Sequence, residues 1–275
     1  MTTDDASEPR ELRYVYAVCH PLGAPLQAEL TGVAGAPPRQ LEHEGLVAVV
    51  GSVPERDFAE APLRAHLEDL DWLTETARAH QNVIAALTTV TSPLPLRLAT
   101  VFRDDSGVRQ MMEQEERRFR AGLDRLEGRV EWGVKVYVEE PEAEAPAPAP
   151  AASSGRDYLR RRRAERTARD DTWRRAERFA QELHDELSRH AAHTRIHPPQ
   201  NPELSRVSGL NVLNAAYLVE RSGAEEFVEL VDATKDREPD LRVELTGPWA
   251  GYSFSSEEGD GDEGNGEEAK EEGET

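Results

Sequence analysis

A single cysteine, Cys19, is all the chain offers, so neither a disulfide framework nor a cysteine-built metal centre can form. Long apolar runs are missing as well, and nothing approaches the roughly 18 residues a membrane span requires. Met1 to Arg10 is polar and acidic, unlike a secretory leader. Positive charge is scarce: 33 Lys and Arg stand against 54 Asp and Glu, a formal net charge of −21. Such a surface repels phosphate backbones, whose protein affinity comes largely from cation–phosphate neutralisation, and it disfavours anionic lipid surfaces for the same reason. Phosphate-cradling loops of the GxxxxGK[ST] or GxGxxG type are absent. These absences predict a soluble cytoplasmic protein with no cofactor, no nucleic-acid partner and no lipid membrane.

What is present reads as a mostly folded α+β chain with unfoldable edges. Three stretches have the composition of disorder: residues 1–11, the Pro/Ala segment 139–155 and the acidic end 255–275. Residues 257–275 carry ten carboxylates and one lysine, a net of −9. The GDGDEGNG stretch within them departs from the EF-hand calcium pattern and has no flanking helices. The remaining 226 residues suffice for two modest cores.

The first unit, 12–128, is expected to run β-β-α-β-α. LRYVYAVC (12–19) and LVAVVGSVP (46–54) are strands rich in β-branched and aromatic residues. Pro62 suits the first helical position, and Leu63, Leu67, Leu70, Leu73, Ala77, His80, Ile84 and Leu87 form the stripe of one long helix. LRLATVF (96–102) reads as a strand. Asp104 or Asp105 then caps a helix to about Leu126, which Gly128 closes.

The second unit, 129–254, is expected to be ferredoxin-like, β-α-β-β-α-β, with the Pro/Ala segment inserted in it. Val130, Trp132, Val134, Val136 and Val138 alternate on one strand face. A long helix follows from about Ser154 to His190. Strands near 194–197 and 208–219, a helix after Gly223 and a strand from Leu241 complete the pattern. Such a pattern also occurs in RNA-recognition modules, but SGLNVLNAAYLV offers only Tyr217 for stacking a base.

Residues that carry chemistry are few. His184, His190, His193 and His197 cluster around the end of the long helix, but metal binding needs three or four converging ligands, and imidazoles there also suit the helix dipole. His66 and His80 with Asp69 and Asp71 raise a general-base reading, a His-dependent hydrolase, without an identifiable nucleophile. Residues 156–178 hold ten Arg against five acids, with Arg160, Arg161, Arg162 and Arg163 consecutive. The pairs Arg161–Glu165, Glu165–Arg169, Asp170–Arg174 and Asp171–Arg175 have helical i,i+4 spacing and describe a solvated, ion-paired face. The same arginines also suit an acidic partner, or a nucleic-acid-binding regulator. Trp249, Tyr252 and Phe254 have the chemistry of partner-binding anchors, or they close the protein's own core.

Three segments in order resemble a known family. They are LPLRLATVF (Leu94 to Phe102), LEGRVEWGVKVYV (Leu126 to Val138), and the pair LNAAYLV (213–219) with TGPWAGYSF (246–254). Together they are similar to the gas vesicle accessory proteins GvpF and GvpL, over about Tyr14 to Phe254. Leu98 and Ala99 stand where that family usually has Phe-Gly, Ala215 where Gly is common, and Ala250-Gly251 where it has Pro-Pro. The resemblance implies a two-domain protein without catalytic activity that acts in gas vesicle assembly. It implies contacts with the small hydrophobic shell protein and with other accessory proteins, in the cytoplasm and at the vesicle.

Overall fold

The computed structural model describes residues 10–255 apart from 24, 27–28, 140–154, 200–208 and 236. The stretches expected to be unstructured therefore lie outside the described residues except at their rims. There Glu11 opens a strand, the Glu139 amide donates to the Asp240 carbonyl, Gly155 opens a helix, and the Ser255 amide donates to the Tyr252 carbonyl. The fold is mixed α/β with two antiparallel sheets.

In the first sheet β1 (Glu11–Cys19) pairs with β3 (Leu46–Pro54), and β2 (Arg39–His43) adds to β3 as an edge. β2 is absent from the sequence expectation because only Leu41 of RQLEH is buried. The signal for it was the Glu44–Gly45 pair. Both residues have positive φ, 47° and 76°, as a tight two-residue hairpin loop demands.

The long helix expected from Pro62 to Leu87 is two helices, α2 (Glu60–Leu67) and α3 (Leu70–Thr88), preceded by the single turn α1 (Glu55–Phe58). Pro62 is the third residue of α2, not its first. The break has a local cause: the Asp69 carboxylate accepts from the amides of Asp71 and Trp72 at 3.0 and 3.2 Å, starting a new helix there. Restarting the helix shifts its phase, so Leu70 is 77% exposed, and the inward face of α3 is Thr76, His80, Val83, Ile84 and Leu87.

Of the strand expected over 96–102 only β5 (Val101–Phe102) forms; it and β4 (Leu94–Pro95), just before that stretch, both pair with β1. Between them the chain arches through Ala99 at φ 63°, whose amide donates to the Tyr14 hydroxyl at 3.1 Å. An alanine there is held in a left-handed conformation that costs roughly 1–2 kcal/mol relative to glycine. Ala99→Gly is expected to stabilise the protein by about 0.5–1 kcal/mol once the extra freedom of the unfolded glycine is subtracted, read as a rise in the urea midpoint.

The next expected helix is likewise divided, at Glu115, into α4 (Asp105–Gln114), capped by Asp104 on the Gly107 amide, and α5 (Glu116–Leu126). Gly128 closes α5 at φ 70°, as the sequence suggested. β1 is buried on both faces from Tyr14 to Cys19 because helices cover both. Tyr14, Tyr16 and Cys19 pack with Val83, Ile84 and Leu87, whereas Val15 and Val18 pack with Met112, Phe119 and Leu123.

The second sheet comprises β6 (Arg129–Val138), β7 (His193–Ile196), β8 (Leu210–Glu220) and β9 (Leu241–Trp249), in the order β7-β8-β6-β9. The helices α6 (Gly155–Ser188) and α7 (Ala224–Asp232) cover one face. Val130, Trp132, Val134, Val136 and Val138 meet Ala176, Ala180, Leu183 and Leu187 of α6 and Phe227 and Val231 of α7. The opposite face of β8 presents Ala216 and Leu218 to the same cluster as Phe119, Leu123 and Leu126. The two sheets are thus joined by a shared apolar core.

Candidate interaction surface

The last described segment, from the end of β9 onward, is built into the seam between the sheets. A Cβ on Gly247 (φ 130°) would stand 2.9 Å from both the Glu131 carbonyl oxygen and the Trp132 ring, so the chain passes too close to β6 for a side chain. The Gly247–Pro248 bond is cis. Ala250 is buried beside the β1–α3 core. The Tyr252 hydroxyl donates to Gln81 Oε1 at 3.0 Å. Ser253 donates through its amide (2.8 Å) and its hydroxyl (2.6 Å) to the two Glu131 carboxylate oxygens, and His197 Nε2 lies 3.1 Å from the same hydroxyl. Phe254, 4% exposed, enters the shared core, and its carbonyl accepts from Arg125 Nη1 at 3.0 Å.

The segment is a clasp that fastens α3 and α5 of the first sheet's unit to β6 of the second. Of the three aromatics read as partner anchors, Phe254 is internal, Tyr252 is half-buried and turned to Gln81, and only Trp249, 42% exposed, faces outward. The spacing of aromatics along a chain end does not tell which of them a following turn folds inward.

Burial pushes the Glu131 carboxyl above the usual carboxylate range, against the hydrogen bonds from Ser253 and the charge of Arg195. The His197 imidazole is held below its ordinary value by burial, then by Arg195 and Lys135. Ser253, lying between Glu131 and His197, gives its proton to the carboxylate, so the array anchors the segment and leaves no imidazole placed between acid and serine. Ser253→Ala strips a buried carboxylate of a donor and is expected to cost about 1–3 kcal/mol, measured by urea denaturation.

The arginine cluster lies on the first half of α6. Burial along that helix begins only at Trp173 and Ala176, and Arg160, Arg161, Arg162 and Arg163 are all exposed. Arg162 lies over the Tyr158 ring, 5.9 Å from its centroid. Arg174 meets Asp171 at 3.9 Å rather than Asp170, and Arg175 reaches across to Asp240 at 3.2 Å rather than to Asp171. Both pairings correct the i,i+4 expectation: Arg174 pairs at i,i+3 within the helix, and Arg175 finds a tertiary partner beyond it. The expected pairs through Glu165 lie outside the described side chains.

The histidines do not converge. His184 bonds the Tyr217 hydroxyl at 2.9 Å, His190 lies 3.7 Å from Glu186, and His193 packs against Phe254. Among the described residues no three His, Cys, Asp or Glu side chains are grouped so as to hold a metal ion. His66 stacks on Trp72 at 5.0 Å, Asp69 is engaged as a helix cap, and His80 is buried against Tyr14 and Tyr16. No helix among the described residues is long and apolar enough to cross a membrane. Beside the LPLRLAT stretch a groove of about 440 Å³ is floored by Leu96, Phe102, Met111 and Phe119 and rimmed by Arg97 and Arg118.

Residues 12–256 match the family described as "Gas vesicle synthesis protein GvpL/GvpF". Gas vesicle protein L of Streptomyces sp. (strain CB03234) is 58% identical over 248 residues, covering 89% of this chain and 92% of the relative. Gas vesicle protein F of the same organism is 27% identical over 255 residues, covering 88% and 98%. Crystal structures of GvpF from Microcystis aeruginosa and from Anabaena sp. PCC7120 share the fold, with TM-scores of 0.63 and 0.64 at 18% and 17% identity. They cover 89% and 90% of this chain, and 99% and 96% of their own.

Proposed function

The chain belongs to the gas vesicle GvpL/GvpF family, and from that premise we propose that it is a non-enzymatic accessory protein of gas vesicle formation, working in the cytoplasm and at the vesicle by binding the small hydrophobic shell protein and other accessory proteins. The observation that carries this reading is the match over residues 12–256, which takes in both sheets and every helix. Identity of 58% to an L protein against 27% to an F protein of one organism favours the L-type role.

In this reading the chain divides near 128/129 into an α+β unit (12–128) and a ferredoxin-like unit (129–254), the latter supported by the strand order β7-β8-β6-β9. A strongly apolar subunit needs a partner that does not coaggregate, and a net charge of −21 serves that end. Trp249 is the side chain best placed for a shell-protein contact, because it is large, aromatic and 42% exposed at the end of the edge strand β9. Arg160 to Arg163 serve an acidic accessory partner.

The test is vesicle formation in a gas-vesicle-forming host lacking this chain. Restoration by the wild-type chain and reduced vesicle yield with Trp249→Ala are expected. Full vesicle yield without the chain would remove the proposal. Trp249 is 42% exposed, so its substitution also removes a partly buried ring, and a lost yield reports contact rather than unfolding only where wild type and variant share the same urea midpoint.

A further inference from the structure

β9 ends the second sheet on one side, and among the described residues no strand lies beyond it. Its hydrogen-bond phase follows from its register on β6. The Glu139 amide donates to the Asp240 carbonyl at 2.9 Å, and the register continues through Tyr137 opposite Arg242 and Lys135 opposite Glu244. Antiparallel partners alternate between hydrogen-bonded and non-hydrogen-bonded pairs. Arg242 and Glu244 therefore bond to β6, whereas the backbone groups of Leu241, Val243 and Leu245 point off the sheet, the Leu241 amide turning to the Glu238 carbonyl at 3.1 Å. An open edge is ordinarily blunted by proline, lysine or a bulge. Pro248 and a register shift opposite Glu131 and Gly133 lie at the far end of β9, but LRVEL (241–245) has no proline, lysine or bulge.

We propose that β9 pairs antiparallel with β9 of a second copy, with Val243 on the two-fold axis, joining the second sheets of two chains into one. The stretch is complementary to itself, as an isologous contact requires. In this register Val243 faces Val243 of the second copy, Leu241 faces its Leu245, and Arg242 faces its Glu244. Val243 exchanges both backbone bonds with its counterpart, and the Leu245 amide reaches the Leu241 carbonyl of the second copy. Charge selects this register over its neighbours. An axis at Arg242 sets that arginine against itself and Glu244 against Asp240, and an axis at Glu244 sets that carboxylate against itself; like charges directly opposite are destabilising. The side chains are also held ready. Leu241 and Val243 are 7% and 6% exposed against the core under α6 and α7, and Leu245 packs on the same cluster only partly buried. Arg242 pairs with Glu139 at 3.1 Å and with Glu244, and lies over the Tyr137 ring at 4.5 Å, so the second copy extends an existing row of ion pairs. Trp249 lies outside the matched stretch, and the pairing does not rest on its contact with the shell protein.

Sedimentation of the full chain over a concentration series tests the proposal. The mass is expected to rise from one copy to two by mass action. Arg242→Glu and Glu244→Arg each set like charges opposite one another and are expected to raise the dimer dissociation constant at least about tenfold. An equimolar mixture of the two variants pairs an acidic strand with a basic one and is expected to recover the dimer, as is the charge-swapped double variant Arg242→Glu/Glu244→Arg. A wild-type chain that stays single at every concentration would overturn the proposal and leave the edge to a different protein. A dimer unchanged by either single variant would overturn it by placing the interface elsewhere, and folded variants that neither pair alone nor together would overturn the register.

Hydrogen exchange on the unsubstituted chain decides the matter even where a variant fails to fold. The Val243 and Leu245 amides are expected to exchange at least about tenfold faster in dilute than in concentrated samples. Those of Arg242 and Glu244, bonded to β6, stay protected in both. Exchange at Val243 and Leu245 that does not change with concentration would contradict the pairing.

Discussion

Phe254→Ala is expected to cost about 3–5 kcal/mol, the range for deleting a buried phenylalanine and leaving its cavity. Phe254 lies in the cluster that holds the two sheets together, among Phe119, Leu123, Leu126, Ala216 and Leu218. Its removal therefore empties a site that neither unit fills alone, and its backbone carbonyl is additionally tied to Arg125. Urea denaturation followed by far-UV circular dichroism measures the loss. A change under about 1 kcal/mol, the level of an ordinary surface substitution, would mean that the clasp contributes little and the sheets hold each other without it. The same reasoning bears on truncation. Ending the chain at Gly247 deletes Ala250, Tyr252, Ser253 and Phe254 together, all engaged with the fold. Such a chain would lose partner binding through instability, whatever the true contact surface.

The second large effect is on acid stability and comes from His80. The Tyr14 hydroxyl accepts from the Ala99 amide and shares a further hydrogen bond with His80 Nδ1, 3.0 Å away. His80 Nε2 is buried with no partner among the described residues. A charge there is poorly accommodated, and burial lowers the imidazole from 6.5 to about 4 at a residue 4% exposed. The unfolded chain takes up the proton first. Stability from this group is complete above pH 6.5 and is lost as pH falls toward 4, by about 3 kcal/mol at pH 4 from linkage. Glu131 works in the opposite direction, because its raised value favours the folded state as pH falls. The clean measurement is therefore the difference between wild type and His80→Gln from pH 7 to pH 4. The two stabilities should converge on acidification. Parallel curves would show that His80 titrates as freely in the fold as outside it.

Much of the architecture was legible because it depends on runs and alternation. β3 is a near-continuous apolar run, and the Val130–Val138 alternation marks one of the two strands that pair on both sides in the second sheet. The departures have local causes. One capping aspartate, Asp69, splits what reads as one helix, since a stripe of leucines carries no information about a phase shift at residue 69. The strand over 96–102 fails at Ala99, a residue with no visible turn signature. β2 shows one buried apolar residue, too little for a periodic signal. For the candidate site, Trp249, Tyr252 and Phe254 were visible as a group, but their different fates depend on Gln81, Glu131 and Leu126, remote in sequence. Gln81 is an unremarkable helical glutamine until Tyr252 reaches it. The functional direction came from the ordered motifs shared with a family rather than from any reactive constellation.

The most direct test of the account is co-purification of the tagged full chain with co-expressed gas vesicle shell protein, using wild type and Trp249→Ala side by side after both are shown to unfold at the same urea concentration. The account expects shell protein to be retained by the wild type and depleted several-fold with the variant. Shell protein absent from both would contradict the direct contact at the centre of the account.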